Sequence, residues 1–309
     1  MMLDFLHSFF DRQERVLGWR AIPVPKQTNN THYKNWIDQG CHATMHYLHD
    51  SVENRVNPAA YQPWAKSIIL FALRYPQPVS VGKNMDYKIA SYALGADYHL
   101  LCRGILADLK VALERETRDA PNFFGFNDTS AVWERELAYQ AGMGWRGKNS
   151  MLINKDWGTM FFIAGCFTDL ILDYTSDVED GCGACKKCLE ACPTGALYEP
   201  GKVDARKCLS YLTIEDRRKA VERGVPLSKQ GTWMFGCDLC QMVCPWNTTG
   251  DFLQDEEELK KFNLSGSEWE SLLKKGGGFK SRFKNTALTR AGRKKLEENL
   301  GIVEQNRLG

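Results

Sequence analysis

The chain has 309 residues, a formal net charge of +2 at pH 7 and a hydrophobic fraction of 43%. This length accommodates two domains of ordinary size, and the composition excludes a disordered chain and a mainly membrane-embedded one. The near-neutral charge gives no general indication of nucleic-acid binding. Eleven cysteines, most of them in one closely spaced pattern, indicate a reducing compartment, so we expect a cytoplasmic protein.

The N-terminal part, residues 1–175, carries none of that cysteine pattern and is predicted to form an α/β domain. Met1–Arg20 mixes apolar and acidic residues, which is typical of an amphipathic helix rather than of an export signal. The apolar run Ser67–Arg74 predicts a strand buried on both faces. Hydrophobic spacing predicts further elements: helices over Asp86–Glu116 and Ser130–Ala141, and strands over Met151–Asn154 and Thr159–Ala164 joined by a tight loop.

The most specific motif is a run of four cysteines that ends in Cys192-Pro193. Its spacing is that of bacterial ferredoxins, in which the fourth cysteine binds a different cluster from the first three, so a second cluster is expected. A shortened copy ends in Cys244-Pro245, and Cys208 lies between the two. Two four-iron clusters need eight thiolates. The predicted ligands are Cys182, Cys185, Cys188 and Cys244 for the first cluster, and Cys192, Cys208, Cys237 and Cys240 for the second.

Zinc and disulfide bonds are the alternatives for these cysteines. Structural zinc also uses Cys-x2-Cys pairs, but it would leave the interleaved third cysteine and the Cys-Pro endings without a purpose. Disulfide frameworks are typical of short secreted chains. We therefore predict a ferredoxin-like module over residues 176–247, stabilised largely by its metal bonds. The three remaining cysteines, Cys41, Cys102 and Cys166, are predicted to be buried apolar residues.

Two other patterns imitate known sites. Gly142-Met-Gly-Trp-Arg-Gly147 has the letters of the dinucleotide-binding fingerprint, but a helix is predicted before it and a strand after it, the reverse of what that fingerprint needs. We interpret it as a glycine-rich turn near a ligand. Cys41, His42, His46 and His49 have a spacing that suits zinc, yet the apolar residues between them favour ordinary packing.

The C-terminal segment, residues 248–309, becomes strongly basic. Nine lysines and arginines between Lys274 and Lys295 occur without one acidic residue among them. Such a segment either concentrates positive potential on one face or forms a solvated loop and helix, and charge alone leaves both interpretations open.

Taken together, these motifs resemble the epoxyqueuosine reductases, cobalamin-dependent enzymes that complete queuosine at the wobble position of tRNA. The resemblance covers about residues 33–247. It is carried by Arg55-x-x-Pro58, Ile89-x-Ser-Tyr-Ala-x-Gly-x-Asp-Tyr-His99, Asn127-Asp128-Thr-Ser, Gly142-Met-Gly-Trp-Arg-Gly-Lys148, the first cysteine run with Pro193-Thr-Gly-Ala, Cys208–Glu215 and Gly236–Asn247.

The resemblance implies an α/β (α+β) fold, with a cobalamin-binding domain related to the flavin nitroreductases, a module with two 4Fe–4S clusters and a short helical tail. It implies removal of the epoxide oxygen as water, with electrons delivered through the clusters. Asp97-Tyr98-His99 begins a cobalamin motif whose glycine is replaced by Cys102, so His99 is not expected on the lower face of cobalt. Candidate corrinoid contacts are Arg55, Tyr92, Asp97, His99, Asp128, Lys148, Ile163 and Ser210.

By the same resemblance, Asp128 is the catalytic proton donor. The alternative is that Asp128 caps a helix starting near Ser130. The two roles oppose each other, because capping amides lower the pKa of a carboxyl group whereas a general acid near neutral pH needs a raised pKa. The resemblance favours the acid.

The expected partners are tRNA carrying epoxyqueuosine in its anticodon loop and an unidentified low-potential electron donor. Arg217, Arg218 and the segment Lys274–Lys295 are candidate phosphate contacts. We expect a monomer without membrane contact. The alternative functions are a reductive dehalogenase, which is typically exported behind a twin-arginine signal that this sequence lacks, and a ferredoxin-type electron carrier.

Overall fold

The computed structural model describes residues 1–28, 30–75, 85–247 and 259–308. Its strands are short apart from three that form most of one central sheet. In chain order they are β1 Val16–Pro23, β2 Ser67–Arg74, β3 Lys88–Ile89, β4 Phe123–Phe126, β5 Trp145–Arg146, β6 Leu152–Ile153, β7 Phe161–Thr168, β8 Leu197–Glu199, β9 Lys202–Val203 and β10 Trp233–Phe235.

The helices surround this sheet and continue through the C-terminal half. The α-helices are α1 Met2–Asp11, α2 Asn30–Asp38, α3 His46–Asp50, α4 Val52–Val56, α5 Pro58–Tyr61, α6 Tyr98–Thr117, α7 Glu134–Gln140, α8 Lys187–Glu190, α9 Leu209–Ile214, α10 Leu239–Met242, α11 Gly266–Leu273, α12 Phe279–Arg282 and α13 Arg293–Leu308. Short 3-10 turns span Ser91–Ala93, Ala220–Glu222, Leu227–Gln230, Pro245–Asn247 and Ala287–Arg290.

The central sheet has the strand order β1-β2-β7-β4, and its neighbouring strands are antiparallel. Strand β2 lies inside it, and every residue from Ser67 to Leu73 is buried. Because side chains alternate along a strand, Ile69 and Phe71 point into one core with α1 and α6, and Ile68 and Leu70 point into another with α7. The predicted strand with two buried faces is confirmed.

Several predicted boundaries are wrong, although the predicted elements exist. The N-terminal helix ends at Asp11, and the chain continues into β1. The helix predicted from Asp86 begins at Tyr98, because residues 88–93 form β3 and a 3-10 turn that pack on β10. The helix predicted from Ser130 begins at Glu134. The two strands predicted from 151 and 159 are β6 and β7, but β6 pairs with β5 rather than with β7.

The cysteine-rich segment is attached to the N-terminal part at the strand pair β3 and β10, which run parallel. Nearby, buried Asp238 accepts a hydrogen bond at 2.6 Å from the backbone N–H of Ser91. This hydrogen bond joins the cysteine loop to the segment that carries the 89–99 motif. The predicted boundary at residue 248 falls in 248–258, outside the described residues.

The described part of the C-terminal tail is firmly packed. Its apolar side chains, among them Trp269, Phe283 and Leu296, form one buried core with Tyr87 and Ile89. Trp269 and Phe283 stack with ring centroids 5.3 Å apart. The tail therefore closes over β3 and β10 instead of extending as a solvated loop and helix. None of the helices that the structure describes is long and apolar enough to cross a bilayer.

Candidate active site and cluster ligands

Asp128 lies in the turn that follows β4. Asn127 shapes this turn, since its side-chain oxygen accepts hydrogen bonds from the backbone N–H and the hydroxyl of Thr129 at 3.3 and 2.7 Å. Helix α7 begins only at Glu134, with Trp133 in the capping position. The interpretation of Asp128 as a helix cap is therefore wrong. Its side chain is 46% exposed and can be reached from solvent.

Asp128 is held by two consecutive residues from the start of α6. The Tyr98 hydroxyl donates a hydrogen bond to Oδ2 of Asp128, and Nε2 of His99 lies 2.7 Å from Oδ1. The other ring nitrogen of His99, Nδ1, lies 2.6 Å from Oδ1 of Asp97. Asp97 is the N-cap of α6, and its side chain accepts from the His99 backbone N–H at 3.0 Å. The structure thus brings together three of the predicted residues and adds Tyr98.

Asp128 and its two neighbours, His99 and Tyr98, shift one another's pKa. Partial burial raises the pKa of Asp128, but the neighbouring His99 imidazole and the Tyr98 hydroxyl outweigh it and hold that pKa below the usual 3.8. The nearby carboxylate of Asp128 raises the pKa of His99 above 6.5, although burial opposes it. Burial, reinforced by the Asp128 charge, raises the pKa of Tyr98 far above its usual value. The raised pKa expected for an acid at Asp128 is therefore not found in this arrangement, since the shift is downward.

Aromatic rings line one side of these polar groups. The Tyr98 ring stacks on Phe162 with centroids 4.0 Å apart and planes 8° apart. Tyr92 contacts Tyr98 and Phe235, with centroids 6.3 and 6.1 Å apart. Burial raises the pKa of Tyr92 well above 10, so it stays neutral. Sequence reasoning missed Tyr98 and Phe162 as neighbours of Asp128, although Tyr98 is the middle residue of the Asp-Tyr-His motif.

Two predicted corrinoid contacts, Arg55 and Lys148, donate from their charged groups to backbone carbonyl oxygens of the protein. Arg55 is buried rather than on the surface, and it donates to the carbonyl oxygen of Val132 at 2.7 Å. Lys148 donates from Nζ to the carbonyl oxygens of Gly183 and Cys185, so it holds the first cysteine loop. The remaining two are partly buried: Ile163 in β7 and Ser210 in α9.

The first predicted ligand set surrounds one small cavity of about 60 Å³. Lys148 and Trp246 line the same cavity. Gly181 lets the cysteine loop approach two tryptophan rings, because a Cβ there would lie 2.6 Å from Trp145 and 2.8 Å from Trp246. The four cysteines that share this cavity are Cys182, Cys185, Cys188 and Cys244.

The four cysteines of the second predicted ligand set are all partly buried. Burial raises the pKa of Cys237, and the nearby thiolate charges of Cys208 and Cys192 raise it further. Burial likewise raises the pKa of Cys240, together with the charges of Cys237 and Cys208. These shifts indicate that Cys192 and Cys208 lie in the vicinity of Cys237, and Cys208 in that of Cys240. All eleven cysteines are free thiols, and Cys41, Cys102 and Cys166 are buried as predicted.

The glycine-rich turn and the histidines serve the packing of the chain. A Cβ at Gly144 would lie 2.2 Å from the carbonyl oxygen of Ile153, so the glycine lets β5 and β6 approach. His42 lies with its ring centroid 6.4 Å from that of His46 and 6.1 Å from that of His49. Within the ranges that the structure describes, no group of three or more His, Cys, Asp or Glu converges closely enough to hold a single metal ion. This includes the eight predicted cluster ligands, but each thiolate of a four-iron cluster binds a different iron atom, so a cluster does not need that convergence.

Most of the basic side chains predicted to contact tRNA phosphates instead contact carbonyl or carboxylate groups of the protein itself. Arg217 donates to the carbonyl oxygens of Ala291 and Arg290, and Arg218 pairs with buried Asp216. Others bind acidic or carbonyl groups of their surroundings: Lys274, Arg282, Arg290, Arg293 and Lys295. Among described residues, the exposed lysines of this segment without an acidic partner are Lys275, Lys280, Lys284 and Lys294.

Comparison with known proteins gives two family matches. A family described as "Epoxyqueuosine reductase QueG, DUF1730" matches residues 55–129, and a 4Fe-4S double cluster binding domain matches residues 181–247. The epoxyqueuosine reductase of Cyclobacterium marinum is 36% identical over 276 residues, which cover 88% of this chain and 86% of that protein. That of Aliivibrio fischeri is 33% identical over 94% of this chain and 80% of its own length.

Solved structures are similar along nearly the whole chain. An epoxyqueuosine reductase bound to an epoxyqueuosine-modified tRNA-Tyr stem loop aligns with a TM-score of 0.81 at 27% identity, over 99% of this chain and 81% of that one. The enzyme from Streptococcus thermophilus aligns with a TM-score of 0.82 at 26% identity, over 100% and 82%. A Bacillus subtilis enzyme with its catalytic aspartate loop swung out of the active site aligns at 0.77 and 25% identity, over 99% and 81%.

Proposed function

The chain belongs to the epoxyqueuosine reductase family, and on this basis we propose a role for each group of its residues in the reduction of the epoxide. The protein is an oxidoreductase of queuosine biosynthesis that acts on epoxyqueuosine in tRNA. The reaction converts the epoxide to an alkene and releases the oxygen as water, so it consumes two electrons and two protons. These relatives do not favour the two alternatives, a reductive dehalogenase and a plain electron carrier.

Asp128 delivers protons to the epoxide oxygen in this proposal. The observation that supports this assignment is the position of the Asp128 carboxyl group. Tyr98 contacts one of its oxygens and His99 lies near the other, while 46% of the Asp128 side chain remains exposed. The Bacillus subtilis relative has a catalytic loop, named for an aspartate, that is swung out of the active site in its structure. A turn at the end of β4 is suited to such movement, because turns lack the ladder hydrogen bonds of the strand.

The cysteine-rich segment holds two 4Fe–4S clusters, which supply single electrons at low potential. The donor set fits them: eight free thiols, four around one cavity and four packed together. We assign Cys182, Cys185, Cys188 and Cys244 to one cluster and Cys192, Cys208, Cys237 and Cys240 to the other. Lys148 stabilises the first loop through its two carbonyl hydrogen bonds.

The residues of the family motifs also fit a corrinoid, whose rim carries amide groups that both donate and accept hydrogen bonds. In the described residues, buried polar atoms without a hydrogen-bond partner occur in these motifs at Ser91 Oγ, His99 Nε2 and Trp145 Nε1, and directly after them at Asn149 Nδ2 and Ser150 Oγ. When bound, cobalamin supplies strongly reduced cobalt that opens the strained epoxide. We assign Tyr92, Ile163 and Ser210 to contacts with the ring, and Asp97 and His99 to the support of Asp128.

We further propose that the tRNA backbone is held by the exposed lysines of the tail, and that the protein is a cytoplasmic monomer supplied by a low-potential electron donor. The support for the lysine assignment is their lack of acidic partners among the described residues. The arginines predicted for phosphate instead stabilise the packing of the tail.

Replacing Asp128 by Asn tests its role directly. We expect Asp128→Asn to retain iron, sulfide and corrinoid and to lose turnover, because the amide cannot supply a proton. Cofactor content and reduction of an epoxyqueuosine-containing stem loop are measured together. Asp108→Asn, on the exposed side of α6, is the matched control and keeps full activity. Full activity of Asp128→Asn would rule out the proton-donor role.

The cellular function is tested independently by nucleoside mass spectrometry. A deletion strain accumulates epoxyqueuosine in its tRNA, and the intact gene restores queuosine. Unchanged queuosine in the deletion strain refutes the proposal.

A further inference from the structure

Asp238 lies in the short loop between two ligands assigned to the second cluster, Cys237 and Cys240. Its Oδ2 atom accepts a hydrogen bond at 2.6 Å from the backbone N–H of Ser91, which is 147 positions away along the chain. Asp238 is 2% exposed and Ser91 is fully buried. The hydrogen bond therefore joins the ligand loop to the segment 89–99 in the interior of the protein.

This contact supplies a cap that the segment lacks. Ser91 is the first residue of a 3-10 turn that ends at Ala93, and the preceding residue, Ala90, offers no side-chain cap. The first N–H groups of a helical turn have no partner within the turn itself. Asp238 provides the missing acceptor from another part of the chain, so the place of the turn depends on Asp238.

The backbone on both sides of the contact is closely packed. The N–H of Ala90 donates to the carbonyl oxygen of Phe235 at 2.8 Å, and the N–H of Gly236 donates to the hydroxyl of Thr213 at 2.9 Å. A Cβ at Gly236 would lie 2.5 Å from the Cβ of Ala90. The glycine therefore lets the chain that leads into the ligand loop lie directly against the segment.

Tyr92 extends this connection towards the reaction site. Its ring centroid lies 6.1 Å from that of Phe235 and 6.3 Å from that of Tyr98. Tyr98 in turn donates from its hydroxyl to Asp128. Because Tyr92 is the proposed contact with the corrinoid ring, a shift of the turn moves one wall of the corrinoid site.

The Asp238 side chain is also held from its second oxygen. Oδ1 accepts from Nε2 of Gln241 at 3.3 Å, and Oε1 of Gln241 accepts from the Thr159 hydroxyl at 2.9 Å. A buried carboxyl group is costly unless its oxygens have such partners. Both oxygens of Asp238 are therefore bound in place, and the contact with Ser91 is part of the fold.

We propose that Asp238 is a positioning residue through which the second cluster completes the corrinoid site. This rests on the proposed cluster ligands and corrinoid contacts. The metal bonds of Cys237 and Cys240 fix the loop between them, and Asp238 in that loop holds the turn that carries Tyr92. Corrinoid binding is therefore favoured by the loop conformation that the cluster imposes, and the two cofactors bind cooperatively.

The corrinoid affinity of the full-length, cluster-loaded protein tests this proposal. Equilibrium dialysis against hydroxocobalamin, with cobalt, iron and sulfide measured in the protein, gives the Kd together with the cluster content. We expect Asp238→Ala to keep both clusters and to bind the corrinoid about 10-fold more weakly, because the turn loses its acceptor. Asp238→Asn keeps an acceptor oxygen and is expected to stay within about threefold of the wild type.

Asp180→Ala is the matched control in the other cysteine loop. Asp180 accepts a hydrogen bond at 2.8 Å from the backbone N–H of Cys182, but this contact stays within the first loop. We expect the corrinoid Kd of this variant to equal that of the wild type. If Asp238→Ala loses its second cluster, Asp238→Ser takes its place, since serine suits the N-cap of α10 and is too short to reach Ser91.

Hydrogen exchange gives a readout that needs no corrinoid. In the cluster-loaded protein we expect the amides of residues 88–93 to exchange faster in Asp238→Ala than in the wild type, because Ser91 has lost its acceptor. Exchange of the same residues in Asp238→Asn and Asp180→Ala is expected to remain close to that of the wild type.

The outcomes separate this role from the proposed function. Wild-type corrinoid affinity in an Asp238→Ala protein that retains both clusters overturns the role of Asp238 and leaves the proposed function intact. Equal losses of affinity in Asp238→Ala and Asp238→Asn, or in Asp238→Ala and Asp180→Ala, also overturn it, since the acceptor for Ser91 is then not what matters. A wild-type protein that binds no corrinoid overturns both.

Discussion

At the residue scale, the state of Asp128 follows from a balance of opposed effects. Burial favours the neutral acid, and the hydrogen bonds from Tyr98 and His99 favour the carboxylate. These two neighbours prevail because His99 also brings positive charge when it is protonated. Environment, rather than residue type, decides which group stores the proton.

The same pair makes stability depend on pH. Asp128 has a folded-state pKa below 3.8, so its contribution is complete above pH 3.8 and is lost as the pH falls through the folded value. His99 has a folded-state pKa above 6.5, so its contribution is complete below pH 6.5 and is lost as the pH rises through the folded value. We therefore predict that the Tm difference between the wild type and Asp128→Asn is largest between these limits.

Thermal unfolding across this pH range checks the prediction. Asp108→Asn serves as the control, since its exposed side chain leaves Tm unchanged. A Tm difference for Asp128→Asn that stays constant from acid to alkaline pH contradicts the linkage.

At the element scale, the start of α6 places Tyr98 and His99 beside Asp128. Asp97 ends the preceding segment as a cap, and Tyr98 and His99 follow in the first turn, so both reach the same neighbour, Asp128. The helix therefore has to begin at Tyr98. In a helix that started at Asp86, as predicted, Asp97 would lie in the helix interior and could not be the N-cap that accepts from the His99 backbone N–H.

Buried Asn299 is one of the residues by which helix α13 holds the cysteine-rich segment. Asn299 is fully buried and donates to the carbonyl oxygens of Thr213 and Met234, each at 2.8 Å. We predict that Asn299→Ala lowers the free energy of unfolding by about 2–4 kcal/mol, because both carbonyl groups are left without their hydrogen-bond donor inside the protein. The Tm and the denaturant midpoint of the variant measure this change.

Gln305→Ala on the same helix is the matched control, since Gln305 is exposed. Equal unfolding midpoints for the two variants would show that Asn299 does not carry this connection.

At the scale of the whole molecule, the C-terminal tail contributes both apolar packing and polar contacts to the fold. Its apolar residues complete a core with the segment 85–94, and its arginines bind carbonyl and carboxylate groups nearby. Lys295 is buried and donates to the carbonyl oxygen of Asp216, so it faces the interior instead of a nucleic acid. Only part of the basic segment therefore contributes to an outer positive surface.

Salt dependence distinguishes these two classes of charge. We predict that replacing Lys275, Lys280, Lys284 and Lys294 by Gln weakens binding of an anticodon stem loop and reduces the slope of log K against log salt by about 0.7–0.9 for each phosphate that is no longer neutralised. Titrations at several salt concentrations measure the slope. Lys110→Gln and Lys202→Gln, whose lysines pair with Glu114 and Glu199, are controls with an unchanged slope. A wild-type slope in the fourfold variant removes these lysines from the tRNA surface.

The sequence by itself determined the features that depend on local spacing. Cysteines two or three residues apart present thiolates in a short loop, whatever the rest of the fold does, and an apolar run such as Ser67–Arg74 has to be buried on both faces. The family motifs added the reaction and drew attention to Asp128. These inferences needed no knowledge of distant contacts.

Only the tertiary structure decided what each charged side chain contacts. His99 and Asp128 lie 29 positions apart, and Lys148 reaches Gly183 across a comparable separation. Such contacts are fixed by how helices and strands pack, which composition and periodicity do not encode. For that reason the sequence predicted Asp128 as an acid or a cap, and the packing of α6 against the end of β4 made it the partner of an imidazole.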